Sequence, residues 1–391
     1  MKPLIPVAVL LMCLTTGVPR EAESASGHVR VALATDQTEV AVRSEGGVVV
    51  STAHGRRARA NWVKVRWSGK PHSSSTEDLL VNGVRFESPV WISGRSGPVE
   101  FNGVRYRGTV VVAAREHGLL VTNQVDLEDY VKSVVPSEVP ATWPFEALKA
   151  QAIVSRTYAL YQQNERGQED FDVDATTRSQ VYGGLQREDV RATEAVEASR
   201  GVVVTYGGRL ALTPYHSTSA GPTEDAAEVW GIDLPYLKGV ADAYDGQSAV
   251  SRWDRRFSYS AIESSLRRAG YAVGPIATVT PLGRTRSGRV AAVRILHADG
   301  ELILKGEAFR RVLGYQDLPS TRFDVVSISF SDSARDAEVH LRGGGWGHGV
   351  GLCQWGMKAL AERGWSADHI IRYYYPGTSL DGLSTVAARG R

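Results

Sequence analysis

Residues 136–163 read PSEVPATWPFEALKAQAIVSRTYALYQQ, and they organise the rest of the chain. The first nine hold one carboxylate, Glu138, between two prolines and near a tryptophan. After them, apolar and small residues recur at helical spacing (Ala147, Ala150, Val154, Tyr158 and Tyr161) and predict one face of a long helix. We therefore expect Glu138 in a loop just before that helix, facing the positive end of its dipole.

Two interpretations of Glu138 follow from these residues. A rigid, partly apolar environment raises the pKa of a carboxyl group, and a raised pKa suits an acid that donates a proton near neutrality. A carboxylate bounded by prolines is also an ordinary turn residue, and the local residues alone favour this second interpretation.

Composition sets the class of protein. The chain has 391 residues, 42% hydrophobic and 23% charged, which is typical of a globular protein. A formal charge of +2 gives no argument for a nucleic-acid partner, and a neutral polymer such as a glycan fits as well. Without HExxH or paired cysteines, we predict no metal and no cofactor.

The first 25 residues are typical of a secretory signal peptide. Lys2 precedes a short apolar run, and small and polar residues follow it. We therefore expect export across the cytoplasmic membrane, to the cell wall or the periplasm. Cys13 leaves lipidation open as an alternative. After cleavage Cys353 would be the one remaining cysteine, which predicts a buried thiol rather than a disulfide framework.

The chain divides into two regions after the signal. Residues 28–121 alternate apolar and polar side chains between Gly- and Ser-rich turns, which predicts a β-rich region closing as a small sheet or a barrel. From residue 122 to 385 helical and strand patterns mix without regular βαβ order, so the fold class is α+β. Asp126 is a suitable N-cap for a short helix over 127–134, which the prolines around Glu138 would end.

Three other segments carry possible chemistry: 216–225 (HSTSAGPTED), 230–237 (WGIDLPYL) and 343–351 (GGGWGHGVG). The first allows a Ser/His/Asp triad, although adjacent strand residues point to opposite faces, and a polar loop explains it equally. The glycine-rich segment lets backbone approach a ligand, or forms tight turns around a packed Trp346.

Together these segments resemble the SpoIID/LytB family, the stage II sporulation protein D group. The resemblance is carried, in chain order, by 138–144 (EVPATWP), 146–152 (EALKAQA), 156–160 (RTYAL), 217–221 (STSAG), 229–231 (VWG), 234–237 (LPYL), 345–351 (GWGHGVG), 354–356 (QWG) and 374–378 (YYPGT). It implies a SpoIID-like catalytic region over residues 122–385. It also implies a lytic transglycosylase that cleaves the bond between N-acetylmuramic acid and N-acetylglucosamine in peptidoglycan glycan strands.

The resemblance implies that Glu138 is the catalytic acid and then the base, closing a 1,6-anhydro ring on the muramic acid. Two-carboxylate hydrolases need a second acid, and residues 136–144 hold no acid besides Glu138. The substrate-binding residues that the matching motifs suggest are Arg156, Tyr158, Ser217, Thr218, Ser219, Trp346 and His348.

The chain departs from the family at one position. Some members have cysteine and histidine zinc ligands where this chain has Asp174, Arg178 and Ser179, and an arginine cannot serve as a zinc ligand. We therefore expect no zinc there.

Two alternatives to the transglycosylase stay open. One is a non-catalytic, LytB-like wall protein that modifies an amidase, with other cell-wall hydrolases as partners. The other is a generic glycoside hydrolase.

Overall fold

A large sheet forms the N-terminal region of the protein in a computed structural model that describes residues 27–68, 79–167, 169–329 and 337–389. Its first ten strands are β1 (His28–Gln37), β2 (Glu39–Thr52), β3 (Arg57–Trp67), β4 (Leu79–Val81), β5 (Val84–Phe86), β6 (Val90–Gly94), β7 (Val99–Phe101), β8 (Val104–Tyr106), β9 (Thr109–Arg115) and β10 (Gly118–Asp126). The predicted signal segment lies outside the described residues.

Alternation of buried and exposed residues explains these strands. In β2, Val40, Val42, Val48 and Val50 all turn to the core and are nearly inaccessible. Pairing among these ten strands is antiparallel, in the order β1-β10-β9-β6-β2-β3-β4-β5, with β7 on β2 and β8 on β7. Within the described ranges this path does not close on itself, so the barrel alternative is wrong and the open-sheet alternative is confirmed.

Three helices follow: α1 (Leu127–Glu138), α2 (Phe145–Arg166) and, further on, α3 (Val190–Ala198). Asp126 caps α1 by accepting hydrogen bonds from the backbone N–H groups of Glu128, at 2.9 Å, and Asp129, at 3.2 Å. The predicted end at residue 134 is wrong, since the helix continues through Pro136 to Glu138.

The last turn of α1 tolerates the proline. The N–H of Val139 still bonds to the carbonyl of Val135 at 3.0 Å, and the Ser137 hydroxyl donates to the carbonyl of Ser133 at 2.7 Å. Glu138 is therefore the C-terminal residue of a helix and not part of a loop. It lies at the negative end of the α1 dipole, which disfavours an ionised carboxylate.

Short elements connect α2 and α3 to the rest of the chain. They are β11 (Val173–Asp174), β12 (Val202–Tyr206), β13 (Arg209–Leu210), β14 (Tyr215–His216) and α4 (Ala226–Trp230). β11 adds to the large sheet as a parallel neighbour of β1.

The next part of the chain is a separate unit, which we call the inserted module (residues 253–343). Its elements are β15 (Trp253–Ser258), α5 (Tyr259–Arg268), β16 (Ile276–Arg284), β17 (Val290–His297), β18 (Gly300–Lys305), α6 (Gly306–Leu313), β19 (Phe323–Ser329) and β20 (Glu338–Gly343). They form two three-stranded antiparallel sheets, β16-β17-β18 and β15-β20-β19. The module has a hydrophobic core of its own, built around side chains such as Phe309, Ile262 and Val293.

We call the described residues before and after the module the first unit. After the module, its elements are β21 (Leu352–Cys353), α7 (Gln354–Glu362), α8 (Ala367–Tyr374), β22 (Ser379–Gly382) and α9 (Leu383–Arg389). β21 pairs in parallel with β14, and β22 pairs with β12. One core runs from the N-terminal sheet through α1 and α2 to α7 and α8. The α+β class is confirmed, but the two cores do not follow the predicted boundary at residue 121.

No helix among the described residues has the length and apolar character needed to cross a membrane.

A buried ion pair joins α1 to α2. The Arg156 guanidinium donates to both oxygens of Glu128, at 2.9 and 2.7 Å, and Arg156 is fully buried. Arg156 also donates to the carbonyl of Val202, and the N–H of Gly201 donates to Glu128, both at 3.1 Å. The pair therefore links two helices to the start of β12.

We expect Glu128→Ala to destabilise the protein by about 3–5 kcal/mol, because it leaves the Arg156 charge buried without a partner. Replacing both residues, Glu128→Leu with Arg156→Met, should recover most of that loss, since an apolar pair of similar volume needs no counter-charge. Urea unfolding followed by helical circular dichroism measures both. A loss below about 1 kcal/mol in the single variant would show that the pair behaves like an exposed one.

Candidate functional site

A cleft of about 550 Å³ lies between the first unit and the inserted module. Its lining comes from the end of α1, the middle of α2, the 177–179 segment, β14, α4, α6, the loop before β21 and the start of α7. Its lining residues include Glu138, Tyr158, Gln162, Tyr215, Ser217, Trp230, Glu307, Arg310, Tyr315, Gln316, Trp346, His348 and Gln354.

Glu138 lies in the wall of this cleft. Its accessible surface is partial, but protein surrounds most of the carboxyl group, and this burial raises its pKa above the ordinary value. Hydrogen bonds from the Val181 N–H, at 2.7 Å, and from the side chains of Tyr215 and Gln354 act in the opposite direction. In the described ranges no Lys, Arg or His forms an ion pair with Glu138.

The two side chains that bond Glu138 are themselves held in place. The Tyr130 hydroxyl donates to Gln180 at 3.0 Å, and Gln180 donates to the Tyr215 hydroxyl at 3.1 Å. The Tyr215 oxygen accepts this hydrogen bond, so the Tyr215 hydroxyl can donate its own proton to Glu138. On the other side, Gln354 donates to Gln151 at 3.4 Å.

Sequence reasoning did not single out Tyr215, Gln180 or Gln354. The available signals were weak: Tyr215 precedes a marked segment, Gln180 lies in the stretch that lacks the zinc ligands, and Gln354 begins a motif that carried the resemblance. Their roles depend on contacts such as Gln180 to Tyr215, 35 residues apart, and Gln354 to Gln151, 203 residues apart, which local patterns do not report.

Four of the seven predicted binding residues line the cleft together with Glu138: Tyr158, Ser217, Trp346 and His348. Burial lowers the pKa of His348 to about 3, with further lowering from the nearby positive charges of Arg310 and Arg289. His348 is therefore neutral at physiological pH, and its Nδ1 accepts the Val350 N–H at 3.0 Å. The proton then resides on Nε2, which makes His348 a hydrogen-bond donor rather than an acid catalyst.

The other three predicted residues, Arg156, Thr218 and Ser219, are buried and do not reach the cleft. Arg156 is taken up by Glu128. The Thr218 hydroxyl bonds to that of Ser248 at 2.7 Å, and Ser219 bonds to His216 at 2.8 Å. Thr218 and Ser219 turn inward beside Ser217, and Arg156 lies inside α2, so the structure does not bring these three residues to the cleft.

The possible Ser/His/Asp triad does not form. His216 Nε2 does meet the Ser219 hydroxyl, but His216 Nδ1 bonds to the Val350 carbonyl at 3.1 Å and not to a carboxylate. Ser219 is also inaccessible, so it cannot attack a substrate.

Metal-like donors occur at one place in the described residues. The ligand atoms of Asp242, Asp245 and Cys353 lie within 4.8 Å of one another, and all three residues are buried. Burial raises the pKa of Asp242 to about 6 and that of the Cys353 thiol well above its ordinary value, so protons relieve part of the negative charge.

At the position where some family members have zinc ligands, Arg178 forms an ion pair with Asp174 at 2.7 Å.

The inserted module contributes a second carboxylate to the cleft. Glu307 lies in α6, and its carboxylate contacts Arg310 at 3.3 Å. Burial raises the pKa of Glu307, and the positive charges of Arg310 and Arg289 partly offset that effect. The sequence alone gave Glu307 no role, because it lies about 170 residues from Glu138 in the chain.

Comparisons with known proteins follow the same two units. Residues 115–206 match the family model "SpoIID: Stage II sporulation protein", and residues 237–351 match a domain of unknown function, DUF8618, which spans the inserted module. An uncharacterised protein of Brachyspira hyodysenteriae is 31% identical over 71% of this chain and 73% of its own length. The amidase enhancer of Bacillus subtilis is 28% identical, over 64% of this chain and 40% of that protein.

Stage II sporulation protein D of Bacillus subtilis is 30% identical over 66% of this chain and 74% of its own length. This extent of similarity, together with the match over the segment that holds Glu138, confirms the resemblance seen in the motifs. The chain belongs to the SpoIID family.

Proposed function

We propose that this protein is a peptidoglycan lytic transglycosylase with Glu138 as general acid and then general base. The observation that carries the proposal is a carboxyl group with a burial-raised pKa and no cationic partner, placed in a cleft that can hold a ligand. The cleft volume of about 550 Å³ lies within the range of ordinary ligand sites.

In the first step the protonated Glu138 donates its proton to the glycosidic oxygen between the muramic acid C1 and the glucosamine. The C1–O bond breaks and its electron pair leaves with the glucosamine oxygen. The Glu138 carboxylate then takes the proton of the muramic acid C6 hydroxyl, and O6 bonds to C1 to close the 1,6-anhydro ring. Because the nucleophile is part of the substrate, one carboxyl group serves both steps.

The surroundings of Glu138 suit both roles. Burial favours the protonated acid before the first step. Once the proton has left, the Val181 N–H and the Tyr215 and Gln354 side chains stabilise the carboxylate. A strong cationic partner would have kept the carboxyl ionised and removed the acid.

Aromatic side chains at the mouth of the cleft are suited to sugar rings. Trp230 and Tyr315 are both about 40% exposed, and Trp230 lies against the His348 ring with centroids 5.0 Å apart. Exposed aromatic faces bind the C–H faces of sugars, while Ser217, Gln162 and Gln316 offer hydrogen bonds to hydroxyls.

Glu307 is the observation that favours a second candidate, a two-carboxylate glycoside hydrolase. The contact with Arg310 argues against a free base in that position, because it draws the Glu307 carboxylate into an ion pair. The similarity to an amidase enhancer leaves the non-catalytic alternative to be tested as well.

Under each proposal we infer that the protein is exported, on the basis of the apolar N-terminal segment.

We expect Glu138→Gln to lower release of anhydro-muropeptides from isolated sacculi by about 100- to 10,000-fold, the usual contribution of a general acid. Mass spectrometry of the products measures this. Glu307→Gln in the same cleft is the matched control and should keep the anhydro product. Unchanged release by Glu138→Gln would remove the assignment, and reducing-end products that depend on Glu307 would favour the hydrolase.

Glu138→Gln should also fold normally, and it should melt at a higher temperature than the wild type as pH rises. The folded pKa of Glu138 is raised, so its contribution to stability is full below the unfolded pKa and is lost as pH rises through the folded pKa. Glutamine carries no charge and avoids that loss. A lower melting temperature at neutral pH would mean that lost activity reflects unfolding.

We expect Tyr215→Phe to shift the alkaline limb of kcat/KM to higher pH. The Tyr215 hydrogen bond lowers the pKa of Glu138, so removing it should keep the acid protonated further into the alkaline range. Tyr158→Phe is the control, since it is a tyrosine of the same cleft that is not among the hydrogen-bond donors to Glu138. A limb that moves to lower pH, or equally in both variants, would contradict this arrangement.

Trp230→Ala should raise KM for glycan fragments roughly five-fold, equivalent to about 1 kcal/mol of aromatic contact, with little change in kcat. Trp62→Ala is the matched control, because Trp62 is comparably exposed but lies on β3 of the N-terminal sheet. Equal effects of the two substitutions would show that Trp230 is not a sugar contact.

A further inference from the structure

A second pocket, on the inserted module, is lined mainly by arginine and glycine. Its volume is about 560 Å³, close to that of the cleft, and nothing in the proposed reaction uses it. Its lining residues are Arg252, Arg284, Gly288, Arg322, Phe323, Asp324, Arg342, Gly343 and Gly344. We call it the arginine pocket. Four guanidinium groups thus face one carboxylate.

The nearby acids do not balance these charges. Asp324 forms an ion pair with Arg284, and Asp254, just outside the lining, contacts Arg342 at 3.5 Å. In the part of the chain that the structure describes, no carboxylate lies within ion-pair distance of Arg252 or Arg322. The pocket therefore holds a net positive charge, which an anion would neutralise.

Arg322 is positioned before any ligand arrives. It is half-buried, and its Nη1 donates to the carbonyl of Ser287. Its guanidinium lies between the backbones of Gly221 and Gly288, where an added Cβ would come within 3.1 and 3.0 Å of it. Both glycines also have positive φ, so larger side chains are disfavoured on two counts. A guanidinium held this way loses little freedom on binding.

A further arginine, Arg289, follows the pocket residue Gly288 in the chain, and its guanidinium lies against the backbone of Gly349. Arg289 is fully buried, and its Nε and Nη1 have no hydrogen-bond partner among the described residues. Burial is the main cause that lowers the pKa of Arg289 to about 10, the positive charges of Arg322 and Arg310 lower it further, and Glu224 acts in the opposite direction. Arg289 therefore adds a further cation near Arg322, beside the loop that holds His348.

The arginine pocket and the cleft share one loop. Gly343 and Gly344 line the pocket, and Trp346, Gly347 and His348 line the cleft. The Gly344 N–H also donates to the carbonyl of Arg322 at 3.0 Å, which ties the loop to the pocket floor. A group bound by the arginines would therefore lie beside the loop that supports His348.

We propose that the arginine pocket binds a phosphate group, as a monoester or diester carried by a larger molecule. Planar guanidinium groups match the tetrahedral oxygens of phosphate through paired N–H donors, and adjacent glycines let backbone approach the same oxygens. The assignment rests on charge and geometry in the inserted module, and it does not depend on the chemistry of Glu138.

The test uses the full chain and sn-glycerol 3-phosphate as the probe, with isothermal titration calorimetry at low ionic strength. Saturable one-site binding is expected, and Arg322→Gln should weaken it at least ten-fold. Arg268→Gln is the matched control, because it removes the same charge from an exposed arginine at the end of α5, outside the pocket. Absence of saturable binding, or equal weakening by both variants, would overturn the proposal.

Because Arg322 is packed between two backbones, a second variant protects the test against misfolding. Arg252→Gln with Arg342→Gln changes only exposed side chains of the pocket and should also weaken binding ten-fold, with an unchanged melting temperature. An unchanged affinity in that double variant would overturn the proposal. Vesicles of phosphatidylglycerol form a separate arm: tighter binding to them than to soluble glycerol phosphate identifies a lipid headgroup, and equal binding identifies a soluble or polymeric phosphate.

Discussion

The buried pair of Arg156 and Glu128 is the constraint on which the proposed site depends. It ties the first turn of α1 to the middle of α2, and it also takes in backbone groups at Gly201 and Val202. Glu138 is ten residues further along α1, about 15 Å at 1.5 Å per residue. Because the helix is rigid, fixing its first turn also fixes its C-terminal end. The position of the Glu138 carboxyl group therefore depends on an ion pair that lies outside the cleft.

Burial has opposite effects on stability and on the proposed chemistry. Around Arg156, removal from water is compensated by an opposing charge and by backbone carbonyls. Around Glu138 no cation compensates, so the cost of ionisation stays with the carboxyl group and raises its pKa. Under the proposed function, the protein gives up some stability at neutral pH in exchange for a proton donor, a compromise between stability and activity that is common in enzymes.

The sequence predicted the parts of this structure that depend on local patterns. The β-rich start, the α+β class and the long helix after Pro144 follow from side-chain periodicity and capping. Of the residues that the matching motifs suggested, Glu138, Tyr158, Ser217, Trp346 and His348 line one cleft. The errors have physical causes. Arg156 was assigned to substrate because an arginine in a matching motif gives no sign of its partner. Thr218 and Ser219 face inward because a single polar segment serves both the surface and the interior.

The second core was the larger omission, and it changes what the cleft is. A module with its own sheets cannot be separated by composition from the unit around it, since both have ordinary hydrophobic content. Yet α6 and the loop after it supply Glu307, Arg310 and Tyr315 to the wall opposite the SpoIID-like helices. One wall then carries the proposed acid, while the other carries a charged pair and an aromatic ring. A ligand in this cleft would therefore contact both units, although the proposed acid comes from only one of them.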